Sequence, residues 1–343
     1  MIKYIFSLAA LPPKHSGRVL APLAILLLSL NACKKSTGLD SKDLLVYMQG
    51  DFGDAHNAVT ASLTQTPLSV WGNTTFHFSA WSTRQVLTAT NVNIVPDSSG
   101  VAAFNQSAGK HCRLMPANVY SIDANQHTIA ADSNESDPIT VTITNPAALT
   151  DTNGYVLPLT IEKVSSSDHG VTISTNRATA YLYVPYMFTN IDTANTVSSG
   201  TIMSRTGWNV TVSNTTNGSP ATSMVDGSNS TAWRSSNSSS AAKYVIVNLR
   251  SSQIITGFRL TPDYVSIGDN ATQIRVSTSP DSVTWTVQGV WKGTGPATGT
   301  SATNPDLKWI DFLSPVQTQY FRFDILSWVS GSRTGIGELN VMQ

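Results

Sequence analysis

The stretch Tyr244-Val245-Ile246-Val247-Asn248-Leu249 decides the fold class of the C-terminal half of the chain. Large apolar side chains alternate with their neighbours along it, a pattern that predicts a β-strand with one buried face. Similar runs occupy much of the sequence that follows: Ile254 to Leu260, Gln273 to Ser277, Lys308 to Phe312 and Tyr320 to Leu326. Several short strands separated by turn residues predict a β-sandwich or barrel.

The N-terminal half shows the same kind of pattern. Its short apolar or alternating runs are Val70 to Ala80, Gln85 to Val95, Ile139 to Ile143, Tyr155 to Val164, Val171 to Ile173 and Ala180 to Val184. This spacing predicts a second β-sandwich. Residues 190–200 contain few large apolar groups and are typical of an interdomain linker. A chain of 343 residues suits about two domains, so we expect an all-β protein made of two sandwiches.

Composition limits the possible functions. Charged residues make up 12% of the chain and the formal net charge is +0, which excludes nucleic-acid binding driven by bulk charge because counterion release needs a surplus of Lys and Arg. All six histidines precede residue 170, and only three glutamates are present. The second half therefore cannot contain a His-dependent nucleophile or a His-liganded zinc.

The N-terminus carries a targeting signal. Ala21 to Leu30 is an apolar run of ten residues, which as a helix would cross only about half a bilayer, so it predicts the core of a signal peptide. The order Leu30-Asn31-Ala32-Cys33 resembles the lipobox of bacterial lipoproteins, which implies that Cys33 is lipidated after removal of residues 1–32. The alternative is an ordinary cleavage site with an incidental cysteine. Lys34 and Lys35 stand where an inner-membrane retention aspartate would be, so we expect an outer-membrane, surface-exposed lipoprotein.

A series of landmarks identifies the C-terminal module more specifically than its strands do. In chain order they are Trp208, Met224-Val225-Asp226-Gly227, Thr231-Ala232-Trp233, Val247-Asn248-Leu249, Ile255-Thr256-Gly257-Phe258, Ser279-Pro280-Asp281 with Trp285, Tyr320-Phe321-Arg322-Phe323 and Gly337-Glu338-Leu339. The series resembles the discoidin, or coagulation-factor 5/8 type C, domain, whose bacterial members include carbohydrate-binding module family 32. The resemblance spans about residues 203–343 and implies a jelly-roll-like sandwich with ligand-binding loops at one end.

Two departures limit what this resemblance implies. Pro262-Asp263 stands where many members have Pro-Arg, and Asp281-Ser282 replaces an Asp-Gly turn. A sugar-binding histidine found in some family 32 modules is also absent from this half. The implied fold survives these changes, whereas galactose-type specificity does not carry over.

The N-terminal module has shorter motifs. Phe104-Asn105, Leu114 to Tyr120 and Tyr155 to Ile161 resemble the domain of unknown function 1735, an immunoglobulin-like module of glycan-locus surface lipoproteins. We thus expect a signal peptide (1–32), a tether (33–44), an immunoglobulin-like sandwich (45–186), a linker (187–202) and a discoidin-like domain (203–343). His111 beside Cys112 invites a catalytic or metal interpretation, but neighbouring side chains in an extended segment point in opposite directions.

The discoidin resemblance implies one structural calcium ion. The side chains that match its ligands are Asp226, Thr231 and Glu338, with backbone carbonyls completing the shell. Calcium takes six to eight oxygen ligands that include carboxylates, and these residue types suit it. In the alternative interpretation, Asp226-Gly227 is a plain turn and Glu338 a surface acid.

The same resemblance places ligand binding in the loops 262–270, 289–305 and 327–335. A sugar ring needs an aromatic platform and a few polar groups, so we predict Trp328 as the platform, with Trp291 as the second choice. The predicted polar partners are Tyr264, Asp263 and Arg333. Loops tend to carry binding while strands carry packing, although each of these residues could instead cover the end of the sandwich or face solvent.

Three classes of function follow from this sequence. The first is a non-catalytic glycan-binding lipoprotein that captures oligo- or polysaccharide for an outer-membrane glycan importer. The second is an adhesion lipoprotein that binds a host or matrix protein. The third is enzymatic or ancillary to a glycosidase, but glycosidases need two opposed carboxylates and no Asp/Glu cluster in this chain resembles such a motif. We predict a carbohydrate partner, a calcium cofactor, no catalysis and no nucleic acid.

Overall fold

The computed structural model describes residues 43–51, 53–194, 200–237 and 241–343. They form two β-sandwich domains, which confirms the predicted all-β fold class. The signal peptide, Cys33 and most of the tether lie outside the described residues, as do residues 195–199 of the predicted linker.

The N-terminal domain contains thirteen strands and one α-helix. The strands are β1 (Leu44–Gln49), β2 (Ala58–Thr60), β3 (Thr64–Gln65), β4 (Val70–Trp71), β5 (Thr75–Ser82), β6 (Thr90–Pro96), β7 (Arg113–Leu114), β8 (Tyr120–Ile122), β9 (Gln126–Ile129), β10 (Ile139–Ile143), β11 (Tyr155–Ser165), β12 (Val171–Ile173) and β13 (Thr179–Val184), and the helix is α1 (Gly100–Ala108). One sheet has the order β12-β1-β5-β10-β8 and the other β2-β13-β11-β6-β9, with β7 beside β11.

The core between these sheets is built by alternation. Leu44, Val46 and Met48 of β1 are fully buried, whereas the residues between them are half-buried. The first part of β11 is different, because Tyr155 through Leu159 are all buried. Strand β11 is covered on both faces, by the opposite sheet on one side and by α1 on the other.

Helix α1 is the element that the strand pattern does not predict. Phe104, its buried residue, packs in a small cluster with Cys112 and Val156 on the outer face of the second sheet. The helix lies so close to the sheet that a Cβ on Gly100 would stand 2.7 Å from Pro158 Cβ. Cys112 is buried and His111 exposed, as their positions predict, and burial raises the pKa of the Cys112 thiol.

The C-terminal domain contains eight strands. They are β14 (Asn209–Val212), β15 (Trp233–Arg234), β16 (Tyr244–Thr261), β17 (Ala271–Ser279), β18 (Thr286–Lys292), β19 (Lys308–Trp328), β20 (Gly335–Ile336) and β21 (Glu338–Met342). The main sheet has the order β14-β16-β19-β17-β18, with β21 also paired to β16, and β15 pairs with β20. Short 3₁₀ turns at Ala117–Val119, Pro146–Ala148, Ala221–Met224 and Ile267–Asp269 complete the two domains.

Two long strands replace four shorter predicted ones. Residues 245–248 of β16 pair with β14 and residues 257–261 with β21, and breaks in register separate the two parts. Strand β19 follows β16 along its whole length. Each long strand therefore contributes to both layers of the sandwich. The two runs predicted on either side of a register break belong to a single strand.

Aromatic rings fill the core of this domain. Phe258 lies 4.7 Å from Phe321 and 4.9 Å from Phe323 between ring centroids, and Trp233 is fully buried nearby in the same cluster. Val245, Val247 and Leu249 point into this core, as the alternation of residues 244–249 predicts.

The joint between the domains is hydrogen-bonded on both sides. Residues 187–189 pair with Gln65 of the N-terminal domain, through Gln65 N to Met187 O (2.8 Å) and Thr189 N to Gln65 O (2.9 Å). Immediately afterwards the buried Asn190 binds the C-terminal domain: its Nδ2 donates to Gln288 Oε1 (3.0 Å) and Ser314 O (2.9 Å). The chain passes from contact with the N-terminal domain to contact with the C-terminal domain between residues 189 and 190. This part of the predicted linker is therefore hydrogen-bonded to the domains on both sides.

Candidate functional site

One end of the C-terminal sandwich brings together residues 262–270, 293–307 and 327–335, which we call the loop end. Val329 N donates to Asn270 O (3.0 Å), and Ser330 N donates to Gly268 O (2.8 Å). The Tyr264 hydroxyl accepts a hydrogen bond from Asp306 N (2.6 Å). Segments that are far apart in sequence thus form one continuous surface.

Asp263 lies beneath this surface rather than on it. The residue is buried and makes a two-pronged ion pair with Arg234, with Arg234 Nη2 2.8 Å from Asp263 Oδ1. The same carboxylate accepts hydrogen bonds from Val265 N and Ser266 N. The hydrogen bonding that Arg234 donates to Asp263 is the main cause of the raised pKa of Arg234. Asp263 is therefore not placed to act as the predicted polar partner of a ligand, because it is buried and its oxygens shape the loop.

The predicted loop position of Trp291 is also wrong. Trp291 belongs to β18, where it pairs with Ile274, and it is only 2% exposed. Its inward position follows from the strand alternation, since Val290 and Lys292 on either side are exposed. Trp291 packs in the aromatic core directly below residues 293–296 of the loop end, so it offers no accessible ring face.

Trp328 is the last residue of β19, opposite Ala271. Its ring is partly buried against the core, and its Nε1 donates to Gly331 O (3.0 Å). That bond holds the indole beside the turn that follows the strand. Part of the ring remains accessible at the loop end. Trp328 is therefore fixed in position and half-exposed, as an aromatic platform requires.

Tyr264 and Arg333 flank the same surface, and both are half-buried. Arg333 Nε lies 3.5 Å from Asp269 Oδ2, while the guanidinium side chain stays 39% exposed. Burial raises the pKa of Asp269, an effect that Arg333 opposes. Arg333 can therefore reach a ligand while it remains near its own carboxylate.

The loop end also exposes apolar side chains that the sequence interpretation did not single out. Val265 is 74% exposed, Ile267 56% and Val329 43%. The signal was present in Tyr264-Val265-Ser266-Ile267, where two β-branched residues follow a buried aspartate.

A second polar site lies at residues 223–231 and β21. Thr231 Oγ1 lies 2.8 Å from Asp226 Oδ2 and within hydrogen-bonding distance of the carbonyls of Ser223 and Ser228. Glu338 reaches the same loop, since its Oε1 accepts from Gly227 N (3.2 Å). The structure brings together the three side chains predicted to bind calcium, two of them in direct contact.

The donor set at this site fits a calcium ion. It offers two carboxylates, one hydroxyl and two backbone carbonyls, the hard oxygen ligands that calcium prefers. Glu338 Oε2 is buried and has no hydrogen-bond partner in the part of the chain that the structure describes. Burial raises the pKa of Glu338 to about 7, although Arg205 Nη2 lies 2.7 Å from its Oε1. A cation would supply the partner that Glu338 Oε2 lacks.

Two other features would bear on function, namely a cluster of metal-ligating side chains and a helix that spans a membrane. Within residues 43–51, 53–194, 200–237 and 241–343, no cluster of three or more His, Cys, Asp or Glu could hold a metal ion. The site above relies on only two acids and on neutral oxygens. Across the same ranges, no helix combines the length and the apolar character needed to cross a bilayer.

Comparison with protein families identifies the C-terminal module. The model of the F5/8 type C domain matches residues 209–339. The C-terminal domain is an F5/8 type C domain. A second model, described as "-like, N-terminal domain", matches residues 39–168. The two matched ranges fall one in each of the two predicted modules.

Several solved structures are similar to all or part of this chain. A two-domain protein of unknown function from Bacteroides fragilis is similar over 89% of this chain and 96% of its own, with 19% identity and a TM-score of 0.58. The family 32 carbohydrate-binding module of Clostridium perfringens NanJ, solved in complex with galactose, covers 40% of this chain and 93% of its own, at 20% identity and a TM-score of 0.34.

An F5/8 type C domain from B. fragilis covers 43% of this chain and 98% of its own, at 20% identity and a TM-score of 0.37. At these identities the likeness of the two-domain protein shows the fold alone. No curated protein matches this chain.

Proposed function

We propose that this protein is a non-catalytic glycan-binding protein whose F5/8 type C domain holds a saccharide at the loop end. The observation that carries the proposal is the match of residues 209–339 to the F5/8 type C family, together with the half-exposed Trp328 held by Gly331. Tyr264 and Arg333 supply a hydroxyl and a guanidinium beside it. An aromatic face pairs with the apolar C–H face of a sugar, and guanidinium and phenol groups pair with its hydroxyls.

The cellular part of the proposal rests on the N-terminal sequence. Leu30-Asn31-Ala32-Cys33 supports lipidation at Cys33 and attachment to the outer membrane. An anchored protein with an outward-facing binding domain suits glycan capture for an outer-membrane importer, because surface density raises the avidity of a weak site. Changing Cys33 to Ala should move the protein from the membrane to the soluble fraction, and unchanged partitioning would contradict lipidation.

A calcium ion in the Asp226, Thr231 and Glu338 site is part of the same proposal. Its role is structural, since the loop 223–231 reaches the loop end through Asn229 Nδ2, which donates to Ala302 O (3.2 Å). An ion that links residues 226–231 to β21 would stabilise one side of the binding surface. Asp226, Thr231 and Glu338 would hold the ion, with the Ser223 and Ser228 carbonyls completing the shell.

A glycan array probed with the full chain tests the main proposal. We expect Trp328→Ala to abolish binding to the glycan selected by the native protein while leaving the domain folded. Arg333→Gln should weaken it, whereas Trp71→Ala, at an exposed tryptophan of the N-terminal domain, should have no effect. Full affinity in a folded Trp328→Ala protein would reject the assignment.

The exposed apolar side chains favour a second candidate, adhesion to a protein. Val265, Ile267 and Val329 form an apolar rim that a neutral sugar does not require. In an array of host and matrix proteins, adhesion predicts that Val265→Ser with Ile267→Ser removes binding. The glycan proposal predicts that this double variant keeps its sugar affinity, so the two functions are distinguishable.

A further inference from the structure

A cleft of about 540 Å³ lies between the two domains and shares no lining residue with the loop end. One wall comes from the N-terminal domain and the other from the start of β18. The lining consists of uncharged side chains: Thr152, Tyr186, Phe188, Trp285, Thr286 and Val287. Small-molecule sites in proteins usually have volumes of about 300–1,000 Å³ and combine aromatic walls with a few polar groups.

The aromatic rings of the cleft are held but not covered. Tyr186, Phe188 and Trp285 are each half-buried. Trp285 Nε1 donates to Ser282 O (3.1 Å), which fixes the indole against its own turn. Phe188 lies between Met187 and Thr189, whose backbones both bond to Gln65. The rings are therefore in place before any ligand arrives.

Hydroxyl groups stand among these rings without protein partners. The hydroxyls of Thr152, Tyr186 and Thr286 make no hydrogen bond to any other described residue. They contrast with the amide and hydroxyl groups of the nearby Asn190, Gln288 and Thr278, which are buried and bonded to one another. The groups that hold the joint are satisfied internally, and those that face the cleft are free to bind a ligand.

The segment that joins the walls of the cleft is hydrogen-bonded to the C-terminal domain. Asn190 O accepts from Leu313 N (2.8 Å), and Asn190 Oδ1 accepts from Ser314 N (2.9 Å). Gly289 has a φ of 140°, and a Cβ there would lie 2.9 Å from Ile191 Cγ1, so only glycine permits this approach of the chains. A preformed cleft loses little entropy on binding.

We propose that this interdomain cleft is a second glycan-binding site, specific for a neutral sugar segment that stacks on Tyr186, Phe188 and Trp285. The inference rests on the proposed glycan-binding function and extends it to a longer ligand that binds at two sites, the loop end and the cleft. The absence of charged side chains from the described lining excludes a preference for acidic or phosphorylated ligands. Alternating aromatic faces and free hydroxyls match the C–H faces and hydroxyl edges of neutral sugars.

A site-resolved titration tests the cleft separately from the loop end. The full chain is labelled with 5-fluorotryptophan, and its ¹⁹F resonances are assigned with single Trp→Phe variants. Neutral oligosaccharides of about six units from galactan, mannan, xylan and glucan are then added. We expect the resonances of Trp285 and Trp328 both to move with a matching glycan, whereas that of Trp71 stays in place.

Matched variants then distinguish stacking from indirect effects. Tyr186→Ala should weaken binding reported by Trp285 by about tenfold or more, as expected for an aromatic residue at the centre of a binding site. Tyr186→Phe, which keeps the ring, should weaken it severalfold at most. For a ligand that occupies one site at a time, neither change should alter the affinity reported by Trp328.

Each outcome decides between the proposals. If Trp328 responds and Trp285 does not, the cleft is not a glycan site and the loop-end function stands. If Trp285 alone responds and Tyr186→Ala removes that response, the cleft proposal holds and the loop-end site is wrong. A response of Trp285 that Tyr186→Ala leaves unchanged overturns the cleft, and silence of both resonances overturns both sites.

Discussion

The loop end and the interdomain cleft are built in opposite ways. The loop end rests on charged groups, since Asp263 is paired with Arg234 and Asp269 lies beside Arg333. The cleft has no charged residue in its described lining, and backbone and amide hydrogen bonds around Asn190 hold it. At the loop end, some side chains of the types that bind ligands stabilise the fold instead. The side chains that line the cleft make few contacts that stabilise the fold.

Trp291 gives the strongest test of this contrast. If Trp291 supports the loop end from within the core, Trp291→Ala should leave a cavity there. The free energy of unfolding of the C-terminal domain should then fall by about 3–5 kcal/mol. Trp328→Ala should cost clearly less, since part of that ring is already in solvent. Denaturant unfolding followed by circular dichroism measures both, and Trp71→Ala is the control with about 0.5 kcal/mol or less. Equal losses for Trp291 and Trp328 would remove the distinction between support and platform.

The Asp263 pair should be nearly as important. Asp263→Ala leaves Arg234, whose side chain is 17% exposed, without its carboxylate. Breaking a buried ion pair from one side costs about 3–5 kcal/mol. Arg275→Ala, which breaks an exposed pair with Asp324, should cost about 1 kcal/mol or less. A thermal unfolding comparison in which both variants behave alike would show that Asp263 is not a structural support.

Calcium should strengthen the loop end and leave the N-terminal domain unchanged. At free calcium about 100-fold above its Kd, the C-terminal unfolding transition should gain about 2.7 kcal/mol. Asp226→Ala should remove the gain, because it deletes a carboxylate ligand. A C-terminal melting temperature that does not respond to chelator would exclude the ion.

Glu338 gives the same site a pH signature when chelator is present. Its pKa rises from 4.5 to about 7 on folding because of burial, so the folded state binds the proton more tightly than the unfolded state. The resulting stability is present below pH 4.5 and is lost as the pH rises through about 7. Glu338→Gln should flatten this dependence between those values. A native protein equally stable at pH 4.5 and pH 7 would contradict the assignment.

The smallest expected effect concerns the cleft. Asn190→Ala leaves Gln288 and Ser314 without their partner, which should cost about 1–3 kcal/mol and loosen the angle between the domains. Small-angle scattering should then show a broader distribution of shapes. Asn153→Ala, at an exposed turn, should change neither measurement. An unaltered scattering profile for Asn190→Ala would show that other contacts hold the cleft.

Periodicity predicts much of the fold because strand alternation is a local property. Residues 244–249 and β10 lie where the pattern puts them, with the expected faces buried. Helix α1 is missed because Val101, Phe104 and Ala108 form a short apolar stripe within a small-residue segment, and its stability depends on packing against β11. Predicted strand pairs merge into β16 and β19 because a register break leaves no strong sequence signal.

The sequence by itself determined that this is a two-module, all-β chain with an F5/8 type C domain, and it named the residues that meet at the loop end and at the Asp226 site. Only the tertiary structure decided which of them face a ligand. Whether a tryptophan in a Gly-rich stretch points inward depends on register with a distant strand, as with Trp291 and Ile274. The interdomain cleft is likewise invisible in sequence, because its walls lie about 100 residues apart along the chain and are brought together by tertiary contacts such as the hydrogen bonds of Asn190.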